Sequence, residues 1–137
     1  MMCTVSLRIE ATACAQAVSE IRSEVRAWLT ARQVARETAE EILLAVSEAV
    51  TNSVEHAYPT GPPGLVIVTA EVVDHAVSVV VTDHGHWREP TPPQGAGIAI
   101  RGRGLGILRA LAARLHIDHG TRAAPGTTVA AEFRVPG

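Results

Sequence analysis

At Pro59 the apolar rhythm of this chain changes. Most of the sequence before it repeats its apolar residues at helical spacing, and most of the sequence after it packs them into dense β-branched runs. The first pattern lines one face of a helix, and the second suits strands buried on one side or both. Segregating helices from strands in this way predicts an α+β fold. The expected form is a two-layer α/β sandwich, one mixed, mostly antiparallel sheet with helices on one face. A length of 137 residues fits a single domain over 1–137.

Val5, Leu7 and Ile9 alternate with polar residues and predict a short first strand. Val18, Ile21, Val25, Trp28 and Leu29 predict an amphipathic helix over 13–32. A second helix is expected over 36–57, ending ahead of Pro59 because the residue before a proline avoids the α region. Residues 58–64 read as a loop, and 65–73 and 76–82 as an antiparallel hairpin turning at Asp74-His75. Residues 83–102 contain three Pro and four Gly, an irregular connection of a length that usually serves function. A third helix is expected over 103–114, with Ile107, Leu108, Leu111 and Leu115 on one face, followed by strands at 115–118 and 127–135.

Composition narrows the chemistry. The aromatic residues are Trp28, Tyr58, Trp87 and Phe133, so the core must be built from Val, Leu, Ile and Ala. All 12 basic residues are Arg. Without Lys, Schiff-base catalysis, the lysine-bearing P-loop and the protein-kinase fold with its strand lysine are excluded. The formal net charge is −2 and there is no basic tract, so no direct nucleic-acid partner is expected. No apolar run approaches the roughly 18 residues of a membrane span, and there is no signal-peptide pattern. Cys3 and Cys14 are too few for a disulfide framework, and the balance points to a reduced, cytoplasmic, soluble protein.

The second helix carries a polar stripe. At about 100° per residue, Asn52 lies roughly 40° and Glu55 roughly 20° from Glu48, with Glu41 on the same side. Leu43, Val46, Val50, Val54 and Ala57 fall on the other side. Glu41 and Glu55 suit a solvated face. Asn52, the only Asn in the chain, is a poor mid-helix residue because its amide competes for backbone groups. One turn after a Glu, it can offer a carbonyl oxygen to Mg²⁺ while Glu48 acts as a base.

Asp83 ends the Val-rich run, where a carboxylate can accept from an exocyclic amine such as that of adenine, and Gly85 lets backbone approach a ring closely. Asp-x-Gly is also a common turn. Gly102-Arg103-Gly104-Leu105-Gly106 opens the third helix, where exposed N–H groups and the helix dipole attract an anion and Arg103 can add a charged contact. Thr127 and Thr128 open the last strand, and their hydroxyls either line the same pocket or simply begin the strand. His84-x-His86 and His116-x-x-His119 have no Cys near them and make poor zinc sites.

Taken in order, Glu48-Ala49-Val50-Thr51-Asn52 with His56-Ala57-Tyr58, Asp83-x-Gly85-x-Trp87, Gly102-Arg103-Gly104-Leu105-Gly106 and Gly126-Thr127-Thr128 resemble the boxes of the GHKL ATPase superfamily with its Bergerat ATP-binding fold. Within it the chain looks most like the small bacterial anti-sigma-factor serine kinases of the RsbW and SpoIIAB type, over about residues 4–135. The resemblance implies ATP and Mg²⁺ as cofactors. Asn52 would hold Mg²⁺, Glu48 would be the general base, and Asp83 would bind the adenine amino group with Gly85 beneath the base. His56, Arg103, Gly104, Leu105 and Gly106 would belong to the nucleotide boxes, with an ATP lid at about 86–102, and Thr127 or Thr128 would reach the adenine end.

The partners implied are a sigma factor, a STAS-domain anti-anti-sigma protein phosphorylated on serine, and a second copy of the chain in a homodimer. Trp87-Arg88-Glu89-Pro90 departs from the Phe and Asp that other members often carry after the first glycine box. The alternative is a non-catalytic nucleotide-binding module that regulates a sigma factor or its antagonist. A histidine-kinase catalytic domain would call for a phospho-acceptor domain, for which 137 residues leave no room.

Overall fold

The computed structural model describes residues 6–58, 62–85, 103–121, 123 and 125–135. In chain order they form β1 (Ser6–Thr12), α1 (Ala15–Ala31), α2 (Arg36–Asn52), a π-helical turn (Ser53–Ala57), β2 (Leu65–Val73), β3 (Ala76–Asp83), α3 (Arg103–Leu111), β4 (Arg114–Gly120) and β5 (Pro125–Arg134). The five strands make one sheet in the order β1-β2-β3-β5-β4. All four pairings are antiparallel, so the parallel component of a mixed sheet is not found among the described strands.

The β2–β3 hairpin turns where the sequence predicts. Val73 pairs with Ala76 across Asp74-His75, and Asp74 adopts a positive φ of 55°, which Asp tolerates better than most residues. Alternation is strict in β3 and from Thr127 onward in β5. Val77, Val79, Val81 and Asp83 of β3 and Thr127, Val129, Ala131 and Phe133 of β5 face inward, and the residues between them are half-exposed. Ile21, Val25 and Leu29 of α1, Ile42, Leu43, Val46 and Val50 of α2 and Leu108 of α3 cover that inner face and are almost fully buried. Burying each aliphatic side chain contributes about 1.5–3 kcal/mol. The helix layer is α1 against α2 and α2 against α3, with Arg26 of α1 donating to Glu40 of α2 at 2.8 Å.

Two expectations need correction. The third helix stops at Leu111, not at 114. Arg114 already pairs with Glu132 in β4, and Ala113 N–H donates to the Glu132 carbonyl at 2.7 Å, so strand pairing takes the chain out of the helix and places Leu115 in a strand. The second helix reaches Ala57, but its last five residues are π-helical. There Ser53 is buried while Val54, expected on the buried side, is only half-buried.

Candidate functional site

Asp83 is the last residue of β3 and takes an inward position that Val77, Val79 and Val81 fill earlier in the strand. A carboxylate in such a place needs several donors. Its Oδ1 accepts from the backbone N–H of Gly85 at 3.1 Å and of Thr127 at 3.3 Å, and its Oδ2 accepts from the Ser53 hydroxyl at 2.7 Å. Ser53, Asp83 and Thr127 are the only buried polar or charged side chains among the described residues, at 2%, 1% and 2% exposure. All three lie at this point, so the buried polarity of the described chain is concentrated where α2, β3 and β5 converge.

Thr127 adds a telling detail. Its Oγ1 is buried and has no hydrogen-bond partner among the described residues. Leaving such a group unsatisfied costs about 1–3 kcal/mol, and folded proteins rarely tolerate it without a ligand or a water nearby. A hydroxyl can donate or accept, and the neighbouring carboxylate accepts. Together they fit the edge of a heterocyclic base with an exocyclic amine. Thr128, its neighbour, pairs with Thr82 and Asp118 and faces the other side of the sheet. The register therefore places Thr127, and not Thr128, beside Asp83.

The backbone around this point is tightly fitted. A Cβ on Gly85 would fall inside the Ala57 carbonyl group, 2.5 Å from its carbon, so the end of the π-helical turn rests directly on Gly85. Gly126 has φ +139°, and a Cβ there would lie 2.7 Å from the Asp83 carbonyl oxygen. Tyr58 ties three segments together. Its hydroxyl donates to the Leu65 carbonyl at 2.8 Å and accepts from the His84 N–H at 3.0 Å, while its ring lies over Gly64.

The polar stripe of α2 leads into this place. Glu48 and Asn52 are half-buried one turn apart, whereas Glu41 and Glu55 are exposed, as a solvated face requires. His56 sits in the π-helical turn with its side chain 45% exposed and Nε2 3.7 Å from Glu55 Oε1. Among the described residues no cluster of three or more His, Cys, Asp and Glu could hold a metal ion. Any cation bound near Asn52 would therefore take most of its oxygens from elsewhere, as Mg²⁺ commonly does from phosphates and water.

Arg103, Gly104, Leu105 and Gly106 form the first turn of α3, whose Leu108 is buried against the core and whose neighbour is α2. A Cβ on Gly106 would meet nothing within 4 Å, so packing among the described residues does not demand glycine there. The expected lid, including Trp87, lies outside the described residues, as do the side chains of Arg103 and Leu105.

Two participants escape the motif analysis. Ser53 has no nucleophile context, yet a signal exists: it occupies the apolar stripe, three residues after Val50 and four before Ala57. Tyr58 stands inside a recognisable box, but its bridging hydroxyl depends on β2 and β3 and cannot be read from spacing.

A model of the histidine kinase-like ATPase domain matches residues 11–133. The crystal structure of the RsbU and RsbW domains of Rv1364c from Mycobacterium tuberculosis is similar at a TM-score of 0.75 and 29% identity, covering 95% of this chain and 32% of that one. This chain thus spans about a third of that protein's length. The histidine kinase domain of a blue-light activated kinase from Erythrobacter litoralis EL346 matches at 0.55 and 28% identity, over 72% of this chain and 45% of its own. The SiaB-SiaC complex from Pseudomonas aeruginosa shares the fold, at 0.69 and 17% identity over 93% of this chain and 88% of that one. No described helix is long and apolar enough to cross a membrane.

Proposed function

The chain belongs to the histidine kinase-like ATPase domain family, and from that premise we propose that it is a cytoplasmic anti-sigma factor with Mg-ATP-dependent protein serine kinase activity. It phosphorylates a STAS-type anti-anti-sigma partner, sequesters a sigma factor, and works as a homodimer. The observation that carries the reading is the convergence of Ser53, Asp83 and Thr127, with the Thr127 hydroxyl buried and without a hydrogen-bond partner among the described residues. The likeness to a structure containing an RsbW domain supports the regulatory half.

In this reading Asp83 accepts from the adenine amino group, Thr127 satisfies its hydroxyl on the ring or on a bridging water, and Gly85 keeps the floor beneath the base flat. His56 and Asn52 lie along the same helical segment toward the phosphates. Arg103, Gly104, Leu105 and Gly106 present the N-terminus of α3, whose N–H groups and dipole favour the phosphate charge. Asn52 offers one oxygen to Mg²⁺, which when bound neutralises that charge. Glu48, one turn before Asn52, takes the proton of the acceptor serine as its oxygen bonds to the γ-phosphorus. The bond from that phosphorus to the β–γ bridging oxygen breaks, and ADP leaves. Catalysis of this kind rests on positioning and electrostatics more than on covalent chemistry by the protein.

The test is transfer of labelled γ-phosphate to purified STAS-domain proteins from the same genome. Glu48→Ala should abolish transfer and leave nucleotide affinity nearly intact. Equal transfer by the variant removes Glu48 from the reaction. Nucleotide binding without transfer to any such protein would favour the non-catalytic module.

A further inference from the structure

We propose that Ser53 is a specificity-positioning residue, which sets the plane of the Asp83 carboxylate and so decides how strongly the pocket prefers a base carrying an exocyclic amine. The inference rests on the nucleotide reading above and adds a residue to it.

An ionised carboxylate is an acceptor only, and what it recognises depends on where its lone pairs point. At Asp83 the Gly85 and Thr127 N–H groups both converge on Oδ1. Both of these bonds are long, at 3.1 and 3.3 Å, and because the carboxylate is planar any turn about the Cβ–Cγ bond swings its two oxygens together. The Ser53 hydroxyl grips the other oxygen, at 2.7 Å, from a different element. A donor to an ionised acceptor makes a stronger bond than a neutral pair, and here both partners are buried, away from competing water.

The local backbone supports the grip. Ser53 opens the π-helical turn and Ala57 closes it, and both are buried while Glu55 and His56 between them are exposed. Ser53 bonds Asp83, and the Ala57 carbonyl rests on Gly85. The turn therefore holds both the first and the third residue of the Asp-x-Gly step. Short π-helical turns within α-helices often mark functional positions, and here the turn brings a hydroxyl to the base-reading carboxylate.

Calorimetric titration of the whole chain with Mg-ATP and with purine riboside triphosphate, which lacks the 6-amino group, separates orientation from general stability. Wild type should prefer ATP. Ser53→Ala should weaken ATP by about tenfold while changing the analogue by less than about twofold, so that the preference collapses. Ser53→Thr keeps the hydroxyl and should restore most of it. Ser53→Cys, similar in size with a weak thiol donor, gives the same comparison should the alanine variant fail to fold. Equal loss for both nucleotides would mark Ser53 as structural only and overturn the proposal. An unchanged or increased preference overturns it too. A wild-type chain that binds neither nucleotide sinks the nucleotide reading itself, an outcome distinct from wild type binding ATP with the Ser53 variants unaltered.

Discussion

Gly85 lies so close to the carbonyl of Ala57 that no side chain fits between them. The two are 28 residues apart (85 − 57) and belong to the end of a helix and the turn after a strand. Their contact sets the depth of the floor on which a base would rest. Gly106 is the opposite case, since among the described residues no atom lies within 4 Å of where its Cβ would stand. Gly85→Ala should therefore destabilise the nucleotide-free protein by about 2–4 kcal/mol, because backbone must move. Gly106→Ala should leave stability unchanged or raise it by up to about 1 kcal/mol, since Ala is the better helix former, and should lower nucleotide affinity. Urea denaturation of the two variants, followed by nucleotide titration, checks both halves. A strongly destabilised Gly106→Ala would show that phosphates are not what keeps that place open.

Tyr58→Phe keeps the ring over Gly64 and removes the hydroxyl shared by Leu65 and His84. The expected loss is about 1–2 kcal/mol in denaturant, with amide exchange at His84 accelerated more than at Val79 in the middle of β3. Uniform acceleration along β3 would mean that the bridge serves the whole sheet and not its end.

Asn52 and Glu48 should separate in their effects. Asn52→Ala is expected to weaken Mg-ATP binding while leaving magnesium-free nucleotide binding little changed. Glu48→Ala should change neither by more than about twofold, because a base that acts only during transfer adds little to ground-state binding. Fluorescence titration with and without magnesium reads both. Loss of magnesium-free binding in Asn52→Ala would assign the residue to the nucleotide and not to the metal.

The Arg26 guanidinium, bonded to Glu40 and aided by its charge, holds that carboxyl below its ordinary value of 4.5. A carboxyl depressed in the folded state adds stability above its unfolded pKa, and that stability fades as pH falls through the lowered folded value. The pair is solvent-exposed, so the effect is small and screened by salt. Glu40→Gln should lower the denaturation midpoint slightly at pH 7 and by less near about pH 3, since the contribution fades as pH falls through the lowered folded value. An equal loss at both pH values would assign the effect to packing between α1 and α2.

The strands were legible because β-branched residues crowd into 65–73 and 76–82 with a two-residue turn between them. The start of α2 was equally plain. Its π-helical end was not, because residues 53–57 carry no propensity that separates a π turn from an α turn, and the contact of Ala57 with Gly85 is tertiary. The helical spacing of Leu111 and Leu115 extends the expected third helix to 114, whereas pairing of Arg114 with Glu132 ends it at Leu111. Asp83 could be singled out from its place after a Val run. The choice between Thr127 and Thr128 required the register, since adjacent strand residues face opposite ways.

The strand order has a consequence in time. Asp83 and Thr127 are side by side only because β5 inserts between β3 and β4, and β5 is the last described element of the chain. A ribosome releases β3 well before it releases β5, so a nascent chain can form the hairpin and most of the helix layer while the inner edge of β3 stays unpaired. During that interval the Asp83 carboxylate lacks the Thr127 donor. On the proposed reading, ATP thus meets a complete pocket only once β5 has joined the sheet, and its binding then favours that paired state by mass action.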